Sequence, residues 1–159
     1  AVFRLVAQAA VREGIALVAA AGNGGPGAAP AYPAAWPDVL AVTAVDADLQ
    51  PYRQAARGPH VDFAAPGVNL WTAASISGGR LRSGTSYAAP FVTAALAVER
   101  LRKPGLALAQ SVASLEGCAR DLGEQGQDEV FGHGLISMQD QCVADKVGDE
   151  GEVFHLSGE

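Results

Sequence analysis

The residues best suited to chemistry are a serine at the start of a predicted helix and the small residues around it. Ser86 lies in the run RSGTSYAAPFVTAALA, residues 82–97, which is typical of a strand end, a tight glycine turn and a helix. The first N–H groups of a helix lack partners within it and carry a partial positive charge. A serine that attacks a carbonyl group there would find donors ready for the developing oxyanion. Serine is also common at helix starts as a simple cap, so this run alone leaves both interpretations open.

Length, composition and charge indicate one globular domain and limit its partners. The chain has 159 residues, of which 49% are hydrophobic and 18% are charged, with a net charge of −6. No basic cluster is larger than Arg100, Arg102 and Lys103, which argues against nucleic acid as a partner. The longest apolar run, residues 87–98, contains Pro90 and is shorter than the roughly 18 residues that a membrane span requires. We therefore expect neither a nucleic-acid partner nor a membrane partner.

The apolar pattern predicts an α/β fold with a parallel sheet. Residues 1–13 have helical periodicity, and Gly14 is a typical helix end. Residues 15–21 are an unbroken apolar run, as in a strand that is buried on both faces of a parallel sheet. Residues 38–46 and 61–65 predict two further strands. The glycine- and proline-rich loop between the first two strands lies where α/β folds place ligands.

The rest of the chain is predicted to be a hairpin, two helices and a turn-rich end. Two strands, residues 70–76 and 80–83, flank a glycine turn. One helix runs from Ser86 to about residue 101, and a second covers residues 106–115 and is stopped by Gly117. Residues 123–134 are rich in turn formers. We divide the chain into a folded part, residues 1–145, and an acidic tail, residues 146–159, which we expect to be disordered.

Four motifs give this order of elements a specific resemblance. AAGN, YPAAWPDVLAV, DFAAPGV and SGTSYAAP occur in sequence between residues 20 and 90. Over residues 1–138 the chain resembles the carboxyl-terminal half of the catalytic domain of subtilisin-like serine peptidases, the subtilases. The resemblance implies a three-layer α/β fold with a mostly parallel sheet flanked by helices, from which upstream strands and helices are missing. It also implies a serine endopeptidase that forms an acyl-enzyme and acts on polypeptide substrates.

The same resemblance implies roles for individual residues. Ser86 matches the nucleophile, and Asn23 matches the asparagine whose amide works with the nucleophile's N–H in the oxyanion hole. The residues implied in substrate binding are small and uncharged, which suggests a roomy pocket for large apolar or aromatic side chains: Ala20, Ala21 and Gly22 as walls, Ala31 near the floor, and Gly84 and Thr85 beside the nucleophile. Tyr87 occupies a position at which many members have an oxidation-prone methionine.

The chain departs from the family pattern in lacking the motifs for the catalytic Asp and His. Without a base, a serine is a weak nucleophile, so we expect the chain alone to be inactive. His60 and Asp62 are two residues apart and could share a strand face, but they match a scaffold strand of the family. His60, His133 and His155 are all interpreted as structural or solvated. We expect the Asp and His to come from a missing upstream segment or a second chain, and the chain to bind that complement or to self-associate.

Two other function classes remain open at this point. A degenerate subtilase could hold peptides in its cleft without cleaving them, although the presence of Ser86 and Asn23 argues against this. An esterase or acyltransferase on an unrelated α/β scaffold would favour the motif G-x-S-x-G, whereas this chain has G-T-S-Y-A.

Metal, redox state and location are only partly constrained. By resemblance, the loop at residues 34–39 could hold a structural calcium ion through backbone carbonyls. Asp38 is its only carboxylate, so we assign no metal and no cofactor. Cys118 and Cys142 allow one disulfide or two free thiols, and the sequence does not favour either. The resemblance implies an extracellular or periplasmic location.

Overall fold

The computed structural model describes residues 2–74 and 78–138 of the chain. The disordered-tail prediction, the boundary at residue 145, part of the predicted hairpin and the residues Cys142 and His155 lie outside the described residues. The elements in chain order are α1 (Val2–Arg12), β1 (Val18–Ala20), β2 (Leu40–Val45), β3 (Phe63–Pro66), β4 (Leu70–Ala73), β5 (Gly79–Arg82), α2 (Thr85–Arg102) and α3 (Leu108–Cys118). No helix within the described ranges is long and apolar enough to cross a bilayer.

The predicted parallel sheet is confirmed, with strand order β1-β2-β3. Val18 is paired with Leu40, and Val42 with Phe63. β1 is shorter than predicted and only half-buried. The expectation that it is buried on both faces is wrong, because in the described sheet it lies at the edge and lacks a second neighbouring strand.

The two faces of the sheet are covered differently. Alternate residues of β2 and β3 pack on α2 and α3, with Val42, Phe63, Val92 and Leu115 in one buried cluster. The opposite face, which includes Val45 and Ala64, packs on the turn-rich segment around Phe131. Among the described residues, helices therefore cover β2 and β3 from one side, whereas loops cover them from the other.

The hairpin and helices agree with the predictions except at their ends. β4 and β5 pair antiparallel, and β5 leads directly into α2. Gly14, with a φ of 76°, follows the end of α1 as predicted. α3 begins and ends later than predicted, and Gly117 lies inside it rather than stopping it. The Tyr32–Pro33 peptide bond is cis.

Candidate active site

Two glycines bring the start of α2 to the carboxyl ends of the strands. The Gly84 N–H donates to the Gly67 carbonyl at 2.8 Å, which holds the α2 turn against the end of β3. A Cβ at Gly67 would lie 2.5 Å from the Ala44 Cβ and 3.0 Å from the Gly84 oxygen, so only glycine allows this approach. Gly84 has a φ of 153°, which L side chains rarely adopt. Ser86 follows as an exposed residue in the first turn of α2.

Asn23 is held beside this turn by Thr85. Its Oδ1 accepts hydrogen bonds from the Thr85 N–H at 2.9 Å and from the Thr85 hydroxyl at 3.1 Å. The Thr85 Oγ1 in turn accepts a bond from the Gly22 N–H at 3.2 Å, so its own hydrogen is available for Asn23. Because two donors converge on one atom of the Asn23 amide, that atom is the oxygen. The Nδ2 group is therefore the one left to act as a donor.

Two donors at this corner have no hydrogen-bond acceptor within the described part of the chain. They are the backbone N–H of Ser86 and the Nδ2 amide of Asn23. An N–H at the start of a helix and a fixed amide are the usual components of an oxyanion hole. The Ser86 hydroxyl also lacks a partner among these residues, so the structure provides no base for it there. The corner can thus stabilise an oxyanion but does not by itself activate the serine.

The predicted pocket residues lie around Gly22. A Cβ at Gly22 would lie 3.4 Å from both the Ala31 Cβ and the Ala56 Cβ. Ala56 was not predicted from the sequence, and its N–H donates to the Gly22 carbonyl at 2.9 Å. Ala20 is half-buried, whereas Ala21 and Thr85 have no exposed surface. Any contribution of Ala21 and Thr85 to ligand binding is therefore made by positioning their neighbours.

His60 and Asp62 lie at the other end of the sheet. They come immediately before β3, whereas Gly67 and the Ser86 turn follow it. Their direct environment is a surface pocket of about 320 Å³ with Ala35, Trp36 and Val39 in its lining. This placement argues against a local triad of His60, Asp62 and Ser86, since strand β3 separates the two groups.

His133 lies next to the start of β3 as well. The backbone N–H of His133 donates to the backbone carbonyl of Asp62 at 2.8 Å, and the ring Nε2 lies 3.6 Å from Glu116 Oε1. The centroid of its ring is 6.0 Å from that of Phe63. These contacts support the structural role expected of His133.

Asp62 supplies a carboxylate near the loop that resembles a cation-binding region. Its Oδ2 already accepts the Ala41 N–H at 2.6 Å. Calcium takes about six to eight oxygen ligands, and the pocket side chains offer this one carboxylate and the His60 imidazole. Within residues 2–74 and 78–138, no group of three or more His, Cys, Asp or Glu side chains could hold a metal ion. We therefore assign no metal to this pocket.

The half-buried Asp62 carboxyl makes stability depend on pH. Burial raises the pKa of Asp62 above its ordinary value, and the bond from Ala41 and the charge of His133 oppose this only in part. Because the folded-state pKa is the higher one, ionisation of Asp62 destabilises the fold as the pH rises. In Asp62→Asn the side chain stays neutral and can still accept the Ala41 N–H. The free energy of unfolding is measured by urea titration for both proteins. The value for Asp62→Asn minus the value for the wild type should increase as the pH rises from about 4 to 7.

The matched variant Asp62→Ala distinguishes the hydrogen bond from the charge. Like Asp62→Asn it has no charge to titrate, but it leaves the Ala41 N–H in β2 without its acceptor, which should cost about 1–3 kcal/mol relative to Asp62→Asn at every pH. An Asp62→Asn curve parallel to that of the wild type over this pH range would contradict the assignment.

The chain is similar to several known proteins. The family described as "Subtilase family" (Peptidase S8) matches residues 1–134. The Minor extracellular protease Epr of Bacillus subtilis (strain 168) is 36% identical over 134 residues, which cover 84% of this chain and 21% of that protein. Subtilisin E from the same strain is 35% identical over 141 residues, covering 86% and 36%, respectively. Subtilisin Savinase of Lederbergia lenta is 31% identical over 132 residues, covering 83% and 48%.

The fold also matches a solved structure. Sphericase superimposes with a TM-score of 0.74 and 25% sequence identity, covering 84% of this chain and 51% of that chain. The chain therefore spans about half of this structure, and half or less of the curated relatives named above.

Proposed function

Because the chain belongs to the subtilase family, we propose that it forms the carboxyl-terminal part of a serine endopeptidase domain, with Ser86 as its nucleophile. The observation that carries this proposal is the presence, within the described residues, of two donors without acceptors beside an exposed serine. The amide of Asn23 is locked by Thr85, and the Ser86 N–H at the start of α2 is unpaired within the described residues. This preorganisation would favour the transition state over the substrate.

The proposed reaction proceeds in two stages. The Ser86 Oγ attacks the scissile carbonyl carbon, its proton passes to a base, and the carbonyl oxygen becomes an oxyanion between the Asn23 amide and the Ser86 N–H. The C–N bond then breaks, the amine leaves with the proton, and Ser86 carries the acyl group. Water attacks this ester, gives its proton to the same base and releases the carboxylic acid, which restores the Ser86 hydroxyl.

We further propose that the base and its orienting carboxylate come from a segment or chain outside this sequence. The open edge of β1 and the apolar surface of α1 support this proposal. Val2, Leu5 and Val6 share one side of α1, and they are 74%, 64% and 61% exposed. Apolar surface of this kind is usually covered by a partner. On this proposal the present chain is an inactive fragment, and its complement, or failing that a second copy, binds α1 and β1.

The substrate and location follow from the same reasoning. The residues that meet at Gly22, which include Ala31 and Ala56, are small and uncharged, so we propose that the polypeptide substrate is selected by a large apolar or aromatic side chain rather than by a charged one. An extracellular or periplasmic site of action is supported by the relative whose name describes an extracellular protease.

Proteolysis can be tested with the protein that contains this chain and its complement. We expect new amino termini to appear when it is incubated with an unfolded polypeptide such as casein, and to be absent for the Ser86→Ala variant. Binding of the polypeptide without new termini would instead support the non-catalytic peptide-binding module.

A further inference from the structure

β5 carries two arginines immediately upstream of the Ser86 turn. Arg80 and Arg82 alternate along the strand, so both side chains lie on the same face of the hairpin, and Leu81 lies on the other. Arg82 is the last residue of β5, and only Ser83, Gly84 and Thr85 separate it from Ser86.

Neither guanidinium group is neutralised within the described part of the chain. Neither makes an ion pair or a hydrogen bond there. The residues directly opposite on β4 are Leu70 and Thr72, which carry no charge. Arg82 is nevertheless half-buried, in a chain whose net charge is −6. A partly desolvated cation of this kind is stabilised when a ligand brings a carboxylate to it.

No strand of the described ranges pairs with the outer edge of β5. Within the described residues, β4 and β5 form a sheet of two strands. The Ala74 N–H donates to the Gly78 carbonyl at 3.2 Å. Because bonded and non-bonded pairs alternate in an antiparallel ladder, the main chains of Arg80 and Arg82 face β4. The N–H and carbonyl of Leu81 therefore point to the outer edge, where an extended peptide can pair with them.

We propose, on the basis of the peptidase function proposed above, that β5 binds the substrate polypeptide as an added strand and selects acidic side chains. Arg82 pairs with an Asp or Glu near the scissile bond, and Arg80 pairs with a second one two residues farther along. Alternate side chains of a strand are about 6.6–6.8 Å apart, and an extended substrate has the same spacing. The preferred substrates are therefore polypeptides with two acidic residues at alternate positions on one side of the cleavage site.

The inference is tested with quenched peptides that differ only at two alternate positions, which hold Glu in one peptide and Gln in the other. In a series of such peptides, the two Glu or Gln residues are placed at successive positions, first on one side of the scissile bond and then on the other. In the active protein, we expect Glu at the correct pair to raise kcat/KM about tenfold over Gln, because each partly exposed pair contributes a modest attraction. The preference should decrease as the salt concentration rises, because salt screens the charges.

The variants Arg80→Gln and Arg82→Gln, singly and together, should each reduce the preference for Glu. Arg120→Gln is the matched control, because this arginine is exposed beyond the end of α3. The rate at which a fluorophosphonate labels Ser86 should stay the same in all four proteins, which shows that each is folded and that the nucleophile is intact.

Two results would overturn the inference while leaving the peptidase function in place. They are equal cleavage of all Glu and Gln peptides, and a preference for Glu that persists in the double variant. Absence of both cleavage and labelling would overturn the peptidase function and the inference with it.

Discussion

Replacing Ser86 by alanine should lower kcat for peptide hydrolysis by about 10⁶-fold, the loss known for the nucleophile of a subtilisin. The variant has no hydroxyl with which to form the acyl-enzyme, whereas Asn23 and the small-residue pocket around Gly22 are unchanged. KM should therefore change little. The measurement is the steady-state hydrolysis of a quenched peptide by the protein that contains this chain and its complement.

Ser83→Ala is the matched control for this variant. Ser83 precedes the same turn, and its Oγ accepts the Asn69 N–H at 2.9 Å rather than facing the proposed oxyanion donors. We expect this variant to keep most of the activity, with a small loss of stability from an exposed hydrogen bond. Comparable kcat values for Ser86→Ala and the wild type would rule out Ser86 as the nucleophile.

Replacing Asn23 by alanine should lower kcat by about 10²–10³-fold, the range known for such a donor in a subtilisin. The amide is proposed to donate only to the oxyanion, so its loss affects the transition state more than the bound substrate. Stopped-flow or steady-state kinetics should therefore show a decrease in kcat with little change in KM.

Two further variants distinguish a donor from a structural residue. Asn23→Asp keeps an oxygen that can accept from Thr85 but replaces the amide donor with a second oxygen, which repels the oxyanion. Its kcat should be at least as low as that of Asn23→Ala. Thr85→Val removes the hydroxyl that fixes the amide and should give a smaller loss of the same kind. An effect of Asn23→Ala confined to KM would contradict the assignment.

The sheet could be predicted because its signal is local. The apolar runs before and after the glycine-rich loop are the strands that pair, and their order in the chain is their order in the sheet. The burial of β1 could not be predicted from its own residues, because it depends on whether a neighbouring strand is present. The sequence predicts that Gly117 stops the second helix, yet α3 continues through it to Cys118. The cost of about 1 kcal/mol for a glycine within a helix is offset when a neighbour such as Leu115 is buried against the core.

The sequence predicts the site residues that lie in its motifs but not the contacts that position them. The sequence predicts Ser86 and Asn23 because their motifs occur in a recognisable order, and the structure brings the two segments together through Thr85. The bond that orients Asn23 joins residues 62 positions apart, so no local pattern encodes it. Ala56 lies between the strands predicted at residues 38–46 and 61–65, where the sequence predicts no element, and its place beside Gly22 depends on the tertiary fold. Gly67 lies just after the strand predicted at residues 61–65, and its close approach to Gly84 also depends on packing.

The measurement that tests the central claim most directly is the intact mass of a fluorophosphonate adduct. The reagent should leave the isolated chain unmodified, because the base for Ser86 is proposed to lie outside it. In the presence of the complement it should add one adduct, which maps to Ser86 and is absent from Ser86→Ala. A rapid stoichiometric adduct on the isolated chain would contradict the external base, and no adduct in either protein would contradict the peptidase function.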